Sequence, residues 1–569
     1  MKVEVEHGKL LIAVARLGGL ADEVERGRAR ASAGTPVDLP SLDVLPAKVA
    51  WMCAQVPDLE DLAALALLLD TGGTGSAAFE MPGDTWDVEA MLDGAVAARF
   101  GPDFATDSGL DDDQLRALLI AFGSVGKTLP PEVDVMTPGE LRTLVVEHPD
   151  LARALTGLSP RPGAGPEGTI FSLLQPVLTA PGGGAEIHEE RRIAARDLFE
   201  SLPSDQASIL AMMFPSTVGT LSGVPFSNLA AANTVRIVVA LDDERTNLSD
   251  LEARHEHHQH DWDFLGRNND DLEGPIEDSG RRIDLYESIL RDDRQILFFD
   301  PSGDGAMVEI DRPVTASTQN VGVLVPGTTS DLPSFDGNAR RSRTFSDADP
   351  DGALSMITWM GGDLPDSIGR DAPFANYAID LGPGLADFSH DVRLEIERAG
   401  SPARTTYAGH SYGGAVVGRS ELHALDADRV LHIESAGMGH DVHDAGDLPS
   451  SQSGVDRYSM TAPGDLIELA QGAPQVTDNI GHGADPDDFP GTVRLHTGDK
   501  VGGTPNTGVG SHTSVFQEGS DAWQNMYAVF TGGKVETYRS PNYEHVFTGR
   551  GVATYQDGWN DDGEKVDIP

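Results

Sequence analysis

Cys53 is the only cysteine in 569 residues, so no intrachain disulfide can form and no multi-cysteine metal site is available. Lysine is scarce too: most of the 41 basic residues are arginine, and against 91 acidic residues they leave a formal net charge of −50. That excess argues against nucleic acid and anionic membranes as partners, since both are polyanions, and leaves room for a cationic partner or a salty milieu. Long apolar runs are missing, and no segment approaches the roughly 20 apolar residues needed to span a bilayer. The N-terminal stretch carries acids (Glu4, Glu6) where a cleaved export signal wants bases, and the apolar run at residues 10–15 is cut short by Arg16. The expected compartment is therefore the cytoplasm, or the exterior by a route without a cleaved signal.

What remains is ordinary globular material. A hydrophobic content of 39% with regular periodicity suits two or more domains with full cores. Residues 1–204 read as a mostly helical region. Leu10, Val14, Leu17, Leu20 and Val24 recur at helical spacing. Thr137-Pro138-Gly139-Glu140 sets a capping threonine, a proline at the first helical position and a glutamate three residues on, predicting a helix over 141–155. Segments 187–202 and 204–214 continue the pattern, with Pro/Gly-rich connectors at 159–168 and 180–184. Residues 205–531 read as a second domain with a helical lead-in and an acidic insertion at 247–278, and residues 532–569 as a C-terminal extension.

From about Asp293 the periodicity becomes strand-like. Residues 295–299 and 306–310 flank Pro301-Ser302-Gly303-Asp304-Gly305, which predicts a hairpin. Apolar strands follow at 321–325, 354–359, 405–408, 430–433, 457–461 and 493–495, with longer and mostly helical intervals. After the fifth of these eight strands comes Gly409-His410-Ser411-Tyr412-Gly413. In Gly-x-Ser-x-Gly the glycines permit a sharp strand-to-helix turn that stands the serine Oγ at the carboxyl edge of a sheet. The pattern alone is weak, because a chain with 64 glycines yields about half a match by chance. Its position in the strand count is what gives it weight, and the fold class expected is α/β, an α/β-hydrolase sheet with helical crossovers.

The order Ser, then acid, then His locates the remaining candidates. Asp465 follows the seventh strand in Thr461-Ala462-Pro463-Gly464-Asp465, and His512 follows the eighth in Gly510-Ser511-His512. His512 would take the serine proton and Asp465 would hold its tautomer. The oxyanion hole would combine the backbone N–H of Tyr412 with that of Thr328 in the loop after the third strand. Competing bases are His440, His482, His496 and His545, and competing acids are Glu434, Asp499 and Asp363. His410, inside the elbow, is expected to pack away from the substrate. The cluster His255-Glu256-His257-His258-Gln259-His260-Asp261 has metal-ligand chemistry but fails the zincin spacing, because Gln259 stands where the second histidine belongs. An exposed polar insertion is expected there, and no metal.

Several of these motifs, in this order, resemble an α/β-hydrolase family typical of actinobacteria whose members long carried only an uncharacterised-domain label. They are Asp293-Arg294-Gln295-Ile296-Leu297 with Asp300-Pro301-Ser302-Gly303, Val323-Leu324-Val325-Pro326-Gly327-Thr328, the elbow, Ser459-Met460-Thr461-Ala462-Pro463-Gly464-Asp465, and Ser511-His512. The resemblance covers residues 205–530 and implies a Ser/Asp/His triad, carried here onto Ser411, Asp465 and His512. The reading that follows is a serine hydrolase acting on a small-molecule or lipid ester, with an amide or thioester as lesser options and no cofactor. Its rival is a secreted interaction or effector protein whose helical N-terminal half binds a protein partner, with the hydrolase fold as scaffold.

Overall fold

A computed structural model of the chain describes residues 2–6, 76–80, 92, 96–97, 100–101, 103–126, 135–158, 173–178, 185–258, 272–472, 479–548 and 551–568. It divides into two compact units, Met1–Val218 and Gly219–Pro569.

In the first unit two of the described helices start from capping boxes. Helix α1 (Asp112–Ser124) starts from Asp111, whose carboxylate accepts from Gln114 N while the Gln114 side chain returns the bond. Helix α2 (Pro138–Glu147) starts from Thr137 in the same reciprocal way with Glu140. The single helix expected over 141–155 is two. Pro149 has no N–H to continue the ladder and disfavours helical backbone at the residue before it, so α2 ends at His148 and α3 (Pro149–Gly157) begins anew. Helices α4 (Ala185–Ser201) and α5 (Ser204–Met213) fall where the pattern placed them. The unit is not wholly helical, because β1 (Lys2–Glu6) pairs antiparallel with β2 (Ser76–Glu80). The helical repeat proposed for residues 10–24 lies outside the described residues.

The second unit opens with two long helices, α6 (Phe226–His258) and α7 (Glu273–Asp292), tied by Arg245–Glu287 and by Ser279 Oγ to Glu244. The segment read as an acidic insertion is largely the facing ends of these helices. His255 and His258 belong to the last turns of α6, while 259–271, with His260, lie outside the described residues.

An eight-stranded sheet follows in the order β10-β9-β8-β7-β5-β6-β4-β3. Its strands are β3 (Gln295–Asp300), β4 (Ala306–Ile310), β5 (Asn320–Val325), β6 (Leu354–Met360), β7 (Arg404–His410), β8 (Arg429–Ile433), β9 (Asp456–Met460) and β10 (Thr492–Arg494). The strands from β5 onward pair in parallel, and the β3–β4 hairpin joins antiparallel to β6. Central strands buried throughout, such as β5 and β6, are what a sheet covered on both faces requires. On one face Phe345 of α8 (Phe335–Asp347) stacks on Trp523 of α11 (Asp521–Thr531) with ring centroids 5.2 Å apart, over Leu324, Met356, Leu431 and Met460. Crossovers are helical through α8, α9 (Asn376–Arg398) and α10 (Tyr412–Glu421). The connections β8–β9 and β9–β10 carry only 3-10 turns among their described residues, a departure from the expected helices that fits their many left-handed glycines, including Gly439, Gly464 and Gly483.

The C-terminal extension packs back on this unit. β11 (Lys534–Glu536) pairs with β14 (Lys565–Asp567), β12 (Pro541–Thr548) pairs with β13 (Gly551–Trp559), and Glu536 exchanges bonds with His496 and Asn525.

Candidate active site

Six parallel strands end at one edge of the sheet, and the loops leaving five of them, β5, β7, β8, β9 and β10, carry the candidate residues. Ser411 sits between β7 and α10 at φ 57°, ψ −122°, a region that costs a non-glycine residue about 1–3 kcal/mol. The strain is held by close packing. A side chain at Gly409 would strike the backbone of Gly413 and Gly414, and one at Gly413 would strike the carbonyls of Val325 and Pro326. The turn also presses on the β5 loop: a Cβ built on Gly327 would lie 2.7 Å from Ser411 Cβ and 3.2 Å from its Oγ. Thr328 is the next residue of that loop. Thr329 N–H is already engaged, donating to Pro365 O at 2.7 Å. Tyr412, as the first residue of α10, has a backbone N–H that the helix itself leaves free.

Asp465 and His512 come together. His512 Nδ1 is 3.2 Å from Asp465 Oδ2, a charge-range contact too bent to count as an aligned hydrogen bond. Asp465 is buried and collects donors suited to an anion: Ile467 N at 2.9 Å on Oδ1 and Ser511 Oγ at 3.3 Å on Oδ2. His512 is tied to the elbow through His410. The His410 ring is buried, its Nε2 lies 2.8 Å from the His512 carbonyl oxygen, and Phe516 stands edge-on at 5.0 Å. Because a carbonyl can only accept, Nε2 carries the proton. Burial, and then the nearby His512, lower the His410 pKa to about 3, so the ring is neutral. The residue expected merely to pack therefore links the serine turn to the histidine loop.

The rival bases make other contacts, although the His482 ring lies edge-on to Tyr412 of the elbow at 5.1 Å. His440 turns Nδ1 to Gly481 O at 2.8 Å, His482 turns Nε2 to Ala372 O at 2.8 Å, His496 lies edge-on to Trp559 at 4.4 Å, and His545 is within the β12–β13 ladder opposite Thr554. Among the rival acids, Asp499 accepts from Trp559 Nε1 at 3.0 Å, and Asp363 lies against Asp304, whose carboxyl it raises above the ordinary range.

Glu434 is different. It ends β8 at φ 46°, is wholly buried, and comes within 4.8 Å of both Asp465 and His512. Its Oε1 accepts from Ala462 N at 3.0 Å and its Oε2 has no partner. Burial first, and the Asp465 carboxylate second, push its carboxyl well above the usual carboxylate range. In the sequence Glu434 is only a carboxylate after a strand; nothing local tells that it is buried or that its neighbour is an acid.

Among the described residues, Glu434, Asp465 and His512 form the one group of three or more histidine, cysteine and carboxylate side chains close enough to share a metal ion. Two of those positions are the candidate acid and base, His512 Nδ1 and Asp465 Oδ2, 3.2 Å apart.

A family model described as alpha/beta hydrolase matches residues 300–475, a span that takes in Ser411 and Asp465 and stops before His512. Two uncharacterized proteins of Mycobacterium tuberculosis, from strains CDC 1551 and H37Rv, are each 25% identical over 394 residues, covering 62% of this chain and 56% of theirs. The chain thus spans little more than half the length of these curated relatives. Solved structures with similar folds include a Xanthomonas campestris protein described as an a/b serine hydrolase without lid, at 17% identity and TM-score 0.21 over 35% of this chain and 83% of that one. A metagenomic carboxylesterase, EstE1, matches at 12% identity and TM-score 0.23 over 45% of this chain and 93% of its own. The family match and the chain's own strand order together establish an α/β-hydrolase fold and support a hydrolase.

Proposed function

We propose that the protein is a serine hydrolase that cleaves a carboxylic ester through an acyl-enzyme on Ser411. The observation that carries this reading is the strained elbow at Ser411, bound through His410 to a His512 whose Nδ1 faces a buried Asp465. In the proposed cycle His512 Nε2 takes the proton as Ser411 Oγ attacks the carbonyl carbon, and Asp465 stabilises the imidazolium. The backbone N–H groups of Tyr412 and Thr328 receive the oxyanion. The imidazolium then protonates the departing alkoxide, and a water activated by the same nitrogen releases the acid. Every group required is a side chain or backbone amide of this chain.

The test is a fluorophosphonate probe followed by peptide mapping. Labelling is expected on Ser411 alone, lost in Ser411→Ala and sharply reduced in His512→Ala, because the hydroxyl is a weak nucleophile without its base. Unchanged hydrolysis of a soluble short-chain aryl ester by Ser411→Ala would overturn the reading.

A further inference from the structure

Eight large apolar side chains are exposed among the described residues, and six of them, Ile368, Phe374, Leu466, Leu469, Val501 and Val509, lie on three loops. Those loops are residues 361–375 after β6, the turn after Asp465, and the run from β10 to His512. Scattered exposed leucines need no explanation, but apolar residues concentrated on one set of loops do. Leu469 is 80% exposed, Ile368 76% and Val509 62%, so they contribute little to the core of this unit.

The backbone contacts bring these loops to Ser411. The 361–375 loop is held to the β5 loop by Thr329 N donating to Pro365 O at 2.7 Å, and to the elbow by the Tyr412 phenol, whose hydroxyl donates to Phe374 O at 2.6 Å. Leu466 and Leu469 bound the 3-10 turn that Asp465 caps. The histidine loop meets that turn where Gly508 N donates to Pro463 O at 2.9 Å, which sets Val509 beside it. The apolar side chains therefore rise from the same loops that position the candidate oxyanion hole, acid and base.

We propose that this rim seats the protein on aggregated, uncharged or zwitterionic acyl esters, so that Ser411 draws its substrate from a lipid surface rather than from single molecules in water. The proposal rests on the serine-hydrolase reading above and names the substrate class for it. Charge selects the kind of surface. Asp363, Asp366, Asp371 and Glu468 stand on the same loops in a chain of net charge −50, and they would be repelled by an anionic headgroup layer. The apolar side chains gain by leaving water at any lipid surface. A neutral or choline-type layer satisfies both conditions.

The experiment compares wild type with the triple variant Ile368→Ser, Leu469→Ser, Val509→Ser, none of which touches the candidate triad chemistry. Three readouts are taken: hydrolysis of p-nitrophenyl butyrate in solution, hydrolysis of an emulsified trioctanoylglycerol, and flotation with phosphatidylcholine or phosphatidylglycerol vesicles. The expected result is flotation of wild type with phosphatidylcholine and not with phosphatidylglycerol. The triple variant should lose that flotation and about tenfold or more of emulsion activity, with soluble-ester activity within about twofold of wild type. Equal emulsion rates and equal flotation in the two proteins would overturn the proposal. So would a change of oligomeric mass in the variant with flotation unaltered, which would make the rim a self-association face. Flotation needs no catalysis, so an inert Ser411 would defeat the hydrolase reading while vesicle binding still decided the fate of the rim.

Discussion

The ends of β8 and β9 are neighbours in the sheet and each finishes near a carboxylate, yet the two sites make opposite use of it. Asp465, after β9, is surrounded by the N–H of Ile467, the hydroxyl of Ser511 and the ring of His512. Glu434, at the end of β8, has one backbone donor and an oxygen with no partner. Charge on a buried carboxylate is tolerated where donors converge and expelled where they do not. The β8 end repeats the lesson at His432, whose buried Nε2 also lacks a partner and whose pKa burial lowers to about 3. Side by side, one strand end surrounds its carboxylate with donors, and the other buries ionisable groups where burial disfavours their charged forms.

The largest test of this contrast is Asp465→Asn. It should lower kcat on a soluble aryl ester by about four orders of magnitude with the fold intact by circular dichroism, because the amide no longer holds the imidazole in its working tautomer. If Glu434→Gln produces that loss instead, the two strand ends have exchanged roles.

A second test uses pH. His410 and His432 have folded-state pKa values near 3, below the ordinary 6.5. Their contribution is fully present above 6.5, where both folded and unfolded forms are neutral, and is lost as pH falls from there toward 3, because only the unfolded chain accepts the proton. The urea midpoint of the second unit should drop between neutral pH and about pH 5. His432→Phe, which fills the ring space without a titrating group, should flatten that slope. A slope unchanged by the substitution would show that His432 is not what makes the β8 end acid-labile.

The smallest effect is expected for Glu434→Gln, which replaces a neutral acid by a neutral amide of the same shape and should keep kcat within several-fold of wild type. Glu434→Ala differs, since it strands Ala462 N–H without an acceptor and should cost about 1–3 kcal/mol of stability in denaturant unfolding. Comparable large losses of activity in both variants would mean that Glu434 is ionised in the working enzyme.

Much of the second unit was legible because its signals are local and repeated. All eight strands of the main sheet fall on the alternating or apolar runs that marked them, and the elbow occupies the turn after the fifth. The helix after His512 begins only at Asp521, because Gly519 takes φ 83° and Ser520 supplies the cap. Pro149 divides the helix that apolar spacing predicts over 141–155, because proline has no N–H to continue the ladder. The candidate acid and base were found by chain order, and the structure brings the chosen pair, rather than any rival, within 3.2 Å.

What the sequence determined by itself is what neighbouring residues decide: the strand and turn pattern, the glycine-lined serine turn, the capping boxes at Asp111 and Thr137, and the want of any disulfide. Only the tertiary structure decided which residues far apart in the chain share a boundary with water or with each other. It set the His410 ring under the His512 carbonyl, stranded Glu434 beside Asp465, and gathered Ile368, Leu469 and Val509 on loops from separate strands. The physical reason is that burial and charge pairing are properties of the space around a group. A carboxylate after a strand reads the same in sequence whether three donors surround it or one.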